Sequence, residues 1–134
     1  LHNVITRIKQ AGLVSFDTET TSAKPMEADL VGVSFSISEG SGWFMPVGDS
    51  SLWSQPAVPK ENLLRHLKTV LEDKSIKKVG QNIKYDMLVM MHCGIILEGI
   101  YFDTMVASYL LNPGLRRHNL DDLAQEYLNY TKPA

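Results

Sequence analysis

The sequence predicts an α/β domain in which a mixed sheet of about five strands is flanked by helices. Three strand-like segments lie close together in the first half of the chain, and strand-like and helix-like segments alternate after them. No internal repeat or low-complexity tract interrupts this order. A chain of 134 residues can bury one core without disulfides. We therefore expect a single domain over residues 1–134.

The first half of the chain contains a predicted helix and the three clustered strands. Helical spacing ends at Gly12, a residue suited to a helix C-cap. Alternating apolar residues and a glycine-rich turn predict that the second and third strands form a hairpin. In order, we predict a helix over residues 2–11, strands over 13–17, 30–37 and 43–47, and a polar surface loop over 49–60.

The second half alternates helices with short strands. Gly94 and the run Asn112-Pro113-Gly114 stop two of the helices, and Asn119 is placed to cap the last one. In order, we predict a helix over 61–71, a strand over 76–80, a helix from about 82 to 92, a strand over 100–102, and helices over 105–111 and 119–127.

Composition limits the possible functions without selecting one. The chain has 13 basic and 15 acidic residues and a formal net charge of −2, which argues against nucleic-acid binding by bulk charge. An enzyme that holds a strand end through metal ions is not excluded. The apolar runs are shorter than the roughly 18 residues of a membrane span, so we expect no membrane association.

The single cysteine, Cys93, cannot form an internal disulfide, which suits a reducing compartment. No basic and apolar leader opens the chain, so we expect a cytoplasmic location. The chain begins with Leu1 rather than Met, and we expect it to be part of a longer protein.

Asp17 and Glu19, in the segment FDTET, are the first candidate site residues. Positions i and i+2 of a strand face the same side, so both carboxylates can converge on one cation. Oxygen ligands of this kind select hard ions such as Mg²⁺ or Mn²⁺. The alternative, which the spacing alone favours, is that the two acids end a strand and face water.

A second candidate group lies in the segment QNIKYD. If the helix begins near Asn82, then Asn82 and Asp86 share one helical face. Asn82 is equally suited to be a plain N-cap. Apolar residues 87–89 follow Asp86, and a carboxylate in such surroundings usually has a partner. A metal ion shared with Asp17 would supply one.

Together, and in this order, the two groups resemble the first two motifs of the DEDD-type 3′→5′ exonucleases. FDTETTS is similar to the first motif, and VGQNIKYD is similar to the second, an Asn followed by an aromatic–Asp pair. The runs GIYFDTMVASYLLNP and RRHNLDDLA resemble the proofreading domain of family A polymerases, the bacterial DNA polymerase I type. The resemblance covers residues 13–128 and implies an RNase H-like fold.

The resemblance implies that Asp17, Glu19 and Asp86 are catalytic residues and ligands of two divalent cations, Mg²⁺ or Mn²⁺. The substrate implied is the 3′ end of single-stranded DNA, and the parent protein would also carry a polymerase domain. For Arg117, a solvated charge cluster is the alternative to a phosphate contact. The residues implied to contact the terminal nucleotides are Thr18, Gln81, Asn82, Lys84, Tyr85 and Arg117.

The family also has a third motif, Tyr-x3-Asp or His-x4-Asp, which this chain lacks. We therefore expect a domain truncated before that motif, with the C-terminal part of the fold missing and the activity impaired. An apolar patch should be exposed where a helix is absent. The positions that an Asp would have to occupy after Tyr109, Tyr127, Tyr130 and His118 hold Pro113, Thr131, Ala134 and Leu123.

Two other functions remain open. One is a non-catalytic, exonuclease-like domain that binds DNA or supports a polymerase structurally. The other is a stand-alone nuclease of the same superfamily that trims RNA or DNA. Divalent ions bound by the three acids would favour the catalytic lineage, whereas tight single-strand binding without metal dependence would favour the binding domain.

Overall fold

The computed structural model describes residues 1–48 and 56–133. Within them, the helices and strands follow the predicted order. The part of the predicted surface loop at residues 49–55, including Trp53, lies outside the described residues. The helices are α1 (His2–Ala11), α2 (Lys60–Leu71), α3 (Ile83–His92), α4 (Thr104–Leu111) and α5 (Leu120–Leu128), and the strands are β1 (Leu13–Thr20), β2 (Leu30–Ser38), β3 (Ser41–Pro46), β4 (Lys77–Gly80) and β5 (Ile100–Asp103).

The five strands form one mixed sheet in the order β3-β2-β1-β4-β5. The hairpin of β2 and β3 is antiparallel, and β2 also pairs antiparallel with β1. On the other side of β1, strands β4 and β5 run parallel to it, each reached through a helix. This arrangement confirms the predicted mixed sheet.

Strand β1 has one face that packs into the core and an opposite face that carries Asp17 and Glu19. Its side chains alternate between buried and exposed along the whole strand. Phe16 faces the core and stacks on Phe35 of β2 with 5.7 Å between ring centroids. The strand continues to Thr20 rather than ending at Asp17 as predicted. Asp17 and Glu19 point away from the core, so the strand can continue past them without burying a carboxylate.

Helices α1, α2 and α3 cover the core face of the sheet. Helix α1 buries Val4, Ile5 and Ile8 and ends at Gly12, whose φ of 69° confirms the predicted C-cap. Most of the other buried apolar residues form one continuous cluster with this helix, to which the rest of the chain contributes Val14, Phe16, Leu30, Val33, Phe35, Val47, Leu63, Leu67, Val70, Leu71, Ile76, Ile83, Val89, Met90, Ile95 and Leu97.

Helices α4 and α5 are packed less completely, and the expected exposed apolar patch is present on them and on edge strand β5. Leu110, Leu111 and Leu128 are 79%, 70% and 76% exposed. On β5, Tyr101 is 61% exposed. Among the described residues, every helix is too short or too polar to cross a lipid bilayer.

Candidate active site

Asp17 and Glu19 lie side by side on the exposed face of β1, as their spacing predicted. Partial burial is the main cause that raises the pKa of Asp17, and the nearby charge of Glu19 raises it further. Within residues 1–48 and 56–133, no basic side chain forms an ion pair with either acid. The two carboxylates therefore repel each other without a compensating positive charge.

Asp86 is 1% exposed and hydrogen-bonded to the residue between these two acids. Its Oδ1 accepts the backbone N–H of Thr18 at 2.9 Å and the Thr18 hydroxyl at 2.6 Å. The pairing of β1 with β4 ends at Ser15 and Val79. Beyond Ser15, β4 no longer pairs with β1, and the backbone N–H of Thr18 donates to the Asp86 side chain of α3 instead of to a strand.

The surroundings of Asp86 oppose its charge. Burial raises the pKa of Asp86 to about 7, the hydrogen bonds from Thr18 lower it, and the charge of Asp17 raises it. The predicted helix from about residue 82 to 92 would put Asp86 in mid-helix, but α3 begins at Ile83, so Asp86 lies in the first turn. The positive end of the helix dipole is there, which favours a carboxylate.

These three acids are suited to a hard divalent cation, although they are not arranged as a complete ligand group. In the part of the chain that the structure describes, no three His, Cys, Asp or Glu side chains are close enough together to hold a metal ion. The donors of Asp17, Glu19 and Asp86 are nevertheless all carboxylate oxygens, which Mg²⁺ and Mn²⁺ prefer. A cation between them would offset the mutual repulsion of these carboxylates, which adds to the larger effect of burial in raising the pKa values of Asp17 and Asp86.

Asn82 precedes α3 in an unusual conformation. Its φ of 57° and ψ of 51° place it in the left-handed region. The predicted helical face shared by Asn82 and Asp86 therefore does not form. The alternative prediction, an N-cap position, is confirmed, but the Asn82 side chain makes no capping hydrogen bond and is exposed.

Asp103 provides that cap, a role that the sequence did not reveal. Its carboxylate accepts the backbone N–H groups of Asn82 at 3.1 Å and Ile83 at 2.8 Å. It also caps α4 by accepting from Met105 and Val106. An Asp just before a predicted helix was a signal for the second role. The first depends on the pairing of β4 with β5.

Three residues predicted to contact substrate have partners inside the chain. Thr18 is buried and donates to Asp86. Tyr85 donates its hydroxyl hydrogen to the carbonyl of Ser22. The side-chain amide of Gln81 donates to the carbonyl of His118 at 2.8 Å and accepts from the Thr104 hydroxyl.

Lys84 and Arg117 are the predicted substrate contacts with free charges. Both are exposed, and within the described residues neither forms an ion pair.

Arg117 precedes His118, which is only 5% exposed. The carbonyl of Leu115 can only accept, so Nε2 of His118 donates to it at 3.1 Å, and Nδ1 is hydrogen-bonded to the Ser108 hydroxyl at 2.6 Å.

A cavity of about 580 Å³ opens beside Asp17, between the acid-bearing face of the sheet and the start of α5. Gln81 and Thr104 line it where β4 ends, and Asn119 and Lys132 line it from the C-terminal part of the chain. Asp17 is the only one of the three candidate metal ligands in its wall. A ligand bound in this cavity would lie against the carboxylate of Asp17.

The chain is similar to one family of nucleases and to bacterial DNA polymerases. The family model described as 3′-5′ exonuclease matches residues 1–133. DNA polymerase I of Pseudomonas aeruginosa is 39% identical over 127 residues, which cover 93% of this chain and 14% of that polymerase. DNA polymerase I of Rhizobium leguminosarum is 36% identical over 140 residues, covering 92% and 14%. The chain thus spans about a seventh of the length of these relatives.

Solved structures share the fold and confirm its predicted RNase H-like character. A nuclease in its apo form superimposes with a TM-score of 0.78 at 24% identity, over 99% of this chain and 58% of that one. NrnC of Brucella melitensis with bound Mg²⁺ has a TM-score of 0.73 at 25% identity, over 93% and 57%. Another structure of NrnC, bound to pGG, has a TM-score of 0.74. With the family model matched over residues 1–133 and the relatives named DNA polymerase I, the chain belongs to the 3′→5′ exonuclease family.

Proposed function

We propose that this domain hydrolyses the terminal phosphodiester of single-stranded DNA from its 3′ end, with two divalent cations, Mg²⁺ or Mn²⁺. The observation that carries the proposal is the exposed pair of Asp17 and Glu19 next to a buried Asp86 bonded to the residue between them. The NrnC structure with Mg²⁺ supports a divalent ion, and the relatives named DNA polymerase I support DNA as the substrate.

Each acid has a separate task in this proposal. Asp17 and Glu19 face the solvent side of β1. Asp17 would hold both cations, and Glu19 would hold the first and also contact the 3′-hydroxyl. Asp86, held by Thr18, would bind the second through water. When bound, such ions stabilise the charge that develops on the scissile phosphate and lower the pKa of a bound water molecule. As metal ligands the three side chains would be ionised carboxylates, so none of them donates a proton to the substrate.

The strand end would be gripped by groups around these acids. Lys84 and Arg117 are exposed cations without ion-pair partners in the described part of the chain, and they suit phosphate oxygens. The side-chain amide of Asn82 is exposed and suits a phosphate or a base edge. The partners proposed are a single-stranded DNA 3′ end and, in the parent protein, a polymerase domain. A cytoplasmic location stays a prediction.

We also propose that the chain by itself cleaves DNA slowly. The sequence contains no Tyr-x3-Asp motif. The fourth carboxylate and the tyrosine that orients water, which this motif would supply, therefore have no counterpart in it. A second candidate function is a non-catalytic domain that binds single-stranded DNA. It is favoured by the lack, among the described residues, of three acids arranged to hold a metal ion.

The test is an assay of the chain on a 5′-labelled single-stranded oligonucleotide with Mg²⁺, with Mn²⁺ and with a chelator. Slow, metal-dependent shortening from the 3′ end that disappears in Asp17→Ala supports the exonuclease. Glu39→Ala, an exposed acid in the β2–β3 turn, is the matched control and should cleave normally. Metal-independent binding without cleavage, unchanged in Asp17→Ala, would instead identify the binding domain.

A further inference from the structure

We propose that Asp103 is a positioning residue that caps α3 in place of Asn82 and thereby keeps the Asn82 side chain available for the nucleic acid. The inference rests on the proposed function for the identity of the ligand. The capping arrangement itself is independent of that function.

The conformation of Asn82 is the first observation. An Asn at an N-cap ordinarily has an extended backbone, and its side-chain oxygen accepts an N–H of the first helical turn. Asn82 has a φ of 57° instead, and its side chain makes no such bond. Left-handed backbone is unfavourable for most residues and is tolerated best by Gly, Asn and Asp. The residue therefore occupies the cap position without performing the capping.

The carboxylate of Asp103 performs it. Oδ1 accepts the N–H of Asn82 at 3.1 Å, and Oδ2 accepts that of Ile83 at 2.8 Å. The same Oδ1 accepts from Met105 at 2.8 Å and from Val106 at 3.2 Å at the start of α4. One side chain thus satisfies the N–H groups at the starts of two helices, where a negative charge is also favoured by both helix dipoles.

The sheet determines that Asp103 can reach both helices. Strands β4 and β5 are parallel neighbours, and Gly80 is directly opposite Asp103 in their register. Two residues after Gly80 the chain reaches Asn82, so the turn into α3 lies beside the carboxylate. If β5 were shifted by one residue, the Asp103 side chain would face the other side of the sheet and could not cap α3. The cap of α4 depends only on the adjacent residues Met105 and Val106.

The consequence concerns the side-chain amide of Asn82. It is exposed, and within residues 1–48 and 56–133 it has no hydrogen-bond partner. Its neighbour Gln81 lines the cavity that contains Asp17. An amide freed from capping beside this cavity can donate to a phosphate oxygen or a base of a strand end.

The first measurement needs no nucleic acid. Asp103→Asn preserves the shape of the side chain but presents an amide nitrogen to one of the N–H donors. Since Oδ1 accepts from three N–H groups and Oδ2 from Ile83, the amide nitrogen should replace Oδ2, and we expect hydrogen exchange at the Ile83 amide, measured by NMR, to accelerate by about tenfold. Asp73→Asn is the matched control, since Asp73 accepts an N–H and a hydroxyl from Ser75 in an exposed turn. Unchanged exchange in Asp103→Asn would overturn the capping role.

The second measurement is a double-mutant cycle on the affinity for a single-stranded oligonucleotide, with Ca²⁺ as the divalent ion. Asn82→Gly removes the side chain but keeps the left-handed backbone accessible. We expect Asp103→Asn and Asn82→Gly each to weaken binding by about fivefold to tenfold. The double variant should bind no more weakly than the weaker single variant.

The outcomes separate this proposal from the proposed function. Losses that multiply in the double variant would overturn it, because Asp103 would then act independently of the Asn82 side chain. An affinity unchanged in either single variant would overturn it as well. If the unmodified chain binds no single-stranded DNA, the proposed function fails, and the exchange rates alone decide the positioning role.

Discussion

The carboxylate of Asp86 is joined to Thr18 by two hydrogen bonds, although 68 positions separate the two residues in the sequence. Thr18 lies between Asp17 and Glu19 on β1, and Asp86 lies in the first turn of α3. The two segments singled out as candidate motifs are therefore connected directly by side chain and backbone. The placement of the exposed acids is coupled to that of the buried one.

We predict that Thr18→Val destabilises the domain by about 1–3 kcal/mol, because it removes one of two hydrogen bonds to a buried carboxylate. Urea unfolding measures this change. Thr69→Val is the matched control, since the Thr69 hydroxyl donates to a carbonyl on the exposed side of α2. Its effect should be within about 0.5 kcal/mol. Equal losses in the two variants would contradict the coupling of Thr18 to Asp86.

Lys78 gives a prediction on the pH dependence of stability. Its side chain is fully buried, and burial lowers its pKa, while Asp73 and Glu98 oppose that shift. A lysine with a lowered folded-state pKa destabilises the fold at neutral pH. The free energy of unfolding then rises with pH between the lowered pKa and the ordinary value of about 10.4.

Lys78→Met should therefore be more stable than the unmodified chain at pH 7, by about 1 kcal/mol. The carbonyl of Asp73, which Lys78 contacts at 2.6 Å, belongs to an exposed residue and can bond water instead. The advantage of the variant should shrink as the pH rises toward 10. Thermal unfolding of both chains over this range measures it, and a difference independent of pH would show that burial of the charge is not the cause.

The position of the connection between α4 and α5, which carries Arg117, is maintained by His118. Between α4 and α5 most residues are exposed, and His118 is the one that is buried. Its ring bonds Ser108 and the Leu115 carbonyl and stacks on Tyr109 with 3.7 Å between centroids. These contacts hold the connection in place near its C-terminal end.

His118→Phe keeps a ring for stacking but removes both polar contacts. We predict that trypsin then cleaves after Arg116 and Arg117 about tenfold faster, since the loss of two hydrogen bonds favours local opening. His92→Phe, the same change at the exposed end of α3, should leave the cleavage rate unchanged. Equal rates in the unmodified chain and His118→Phe would mean that other contacts hold the connection.

The exposed apolar surface of α4 and α5 should promote self-association. Leu110 and Leu128 are exposed by 79% and 76%, so their replacement by Gln removes little buried contact. We predict that Leu110→Gln combined with Leu128→Gln reduces concentration-dependent association in analytical ultracentrifugation while the melting temperature stays within a few degrees. A large drop in melting temperature would contradict the exposure of these side chains.

The parts of the fold that sequence predicted well depend on neighbours along the chain. Gly12 ends α1, and Asn119 caps α5 by accepting the N–H of Asp122, because both depend on a few adjacent residues. The shared face of Asp17 and Glu19 follows from strand geometry alone. Such features need no knowledge of which strands pair.

The parts that it did not predict depend on contacts between distant segments. Asn82 leaves the helical conformation because Asp103, on another strand, accepts its N–H. The partner of Asp86 is Thr18, and this pairing requires β4 to end before β1 does. Local sequence patterns contain no information about which residues of two strands pair. The sequence therefore predicted a helix over the segment QNIKYD but not the residue at which this helix begins.

In the proposed function, Asp17, Glu19 and Asp86 together bind divalent cations. Titration with Mn²⁺, followed by electron paramagnetic resonance, measures this binding in the unmodified chain, Asp17→Asn, Asp86→Asn and the remote control Glu39→Gln. We predict that the unmodified chain and the control bind Mn²⁺ equally well and that each site variant binds at least about tenfold more weakly. Equal affinity in all four proteins, or no binding by the unmodified chain, would contradict the claim.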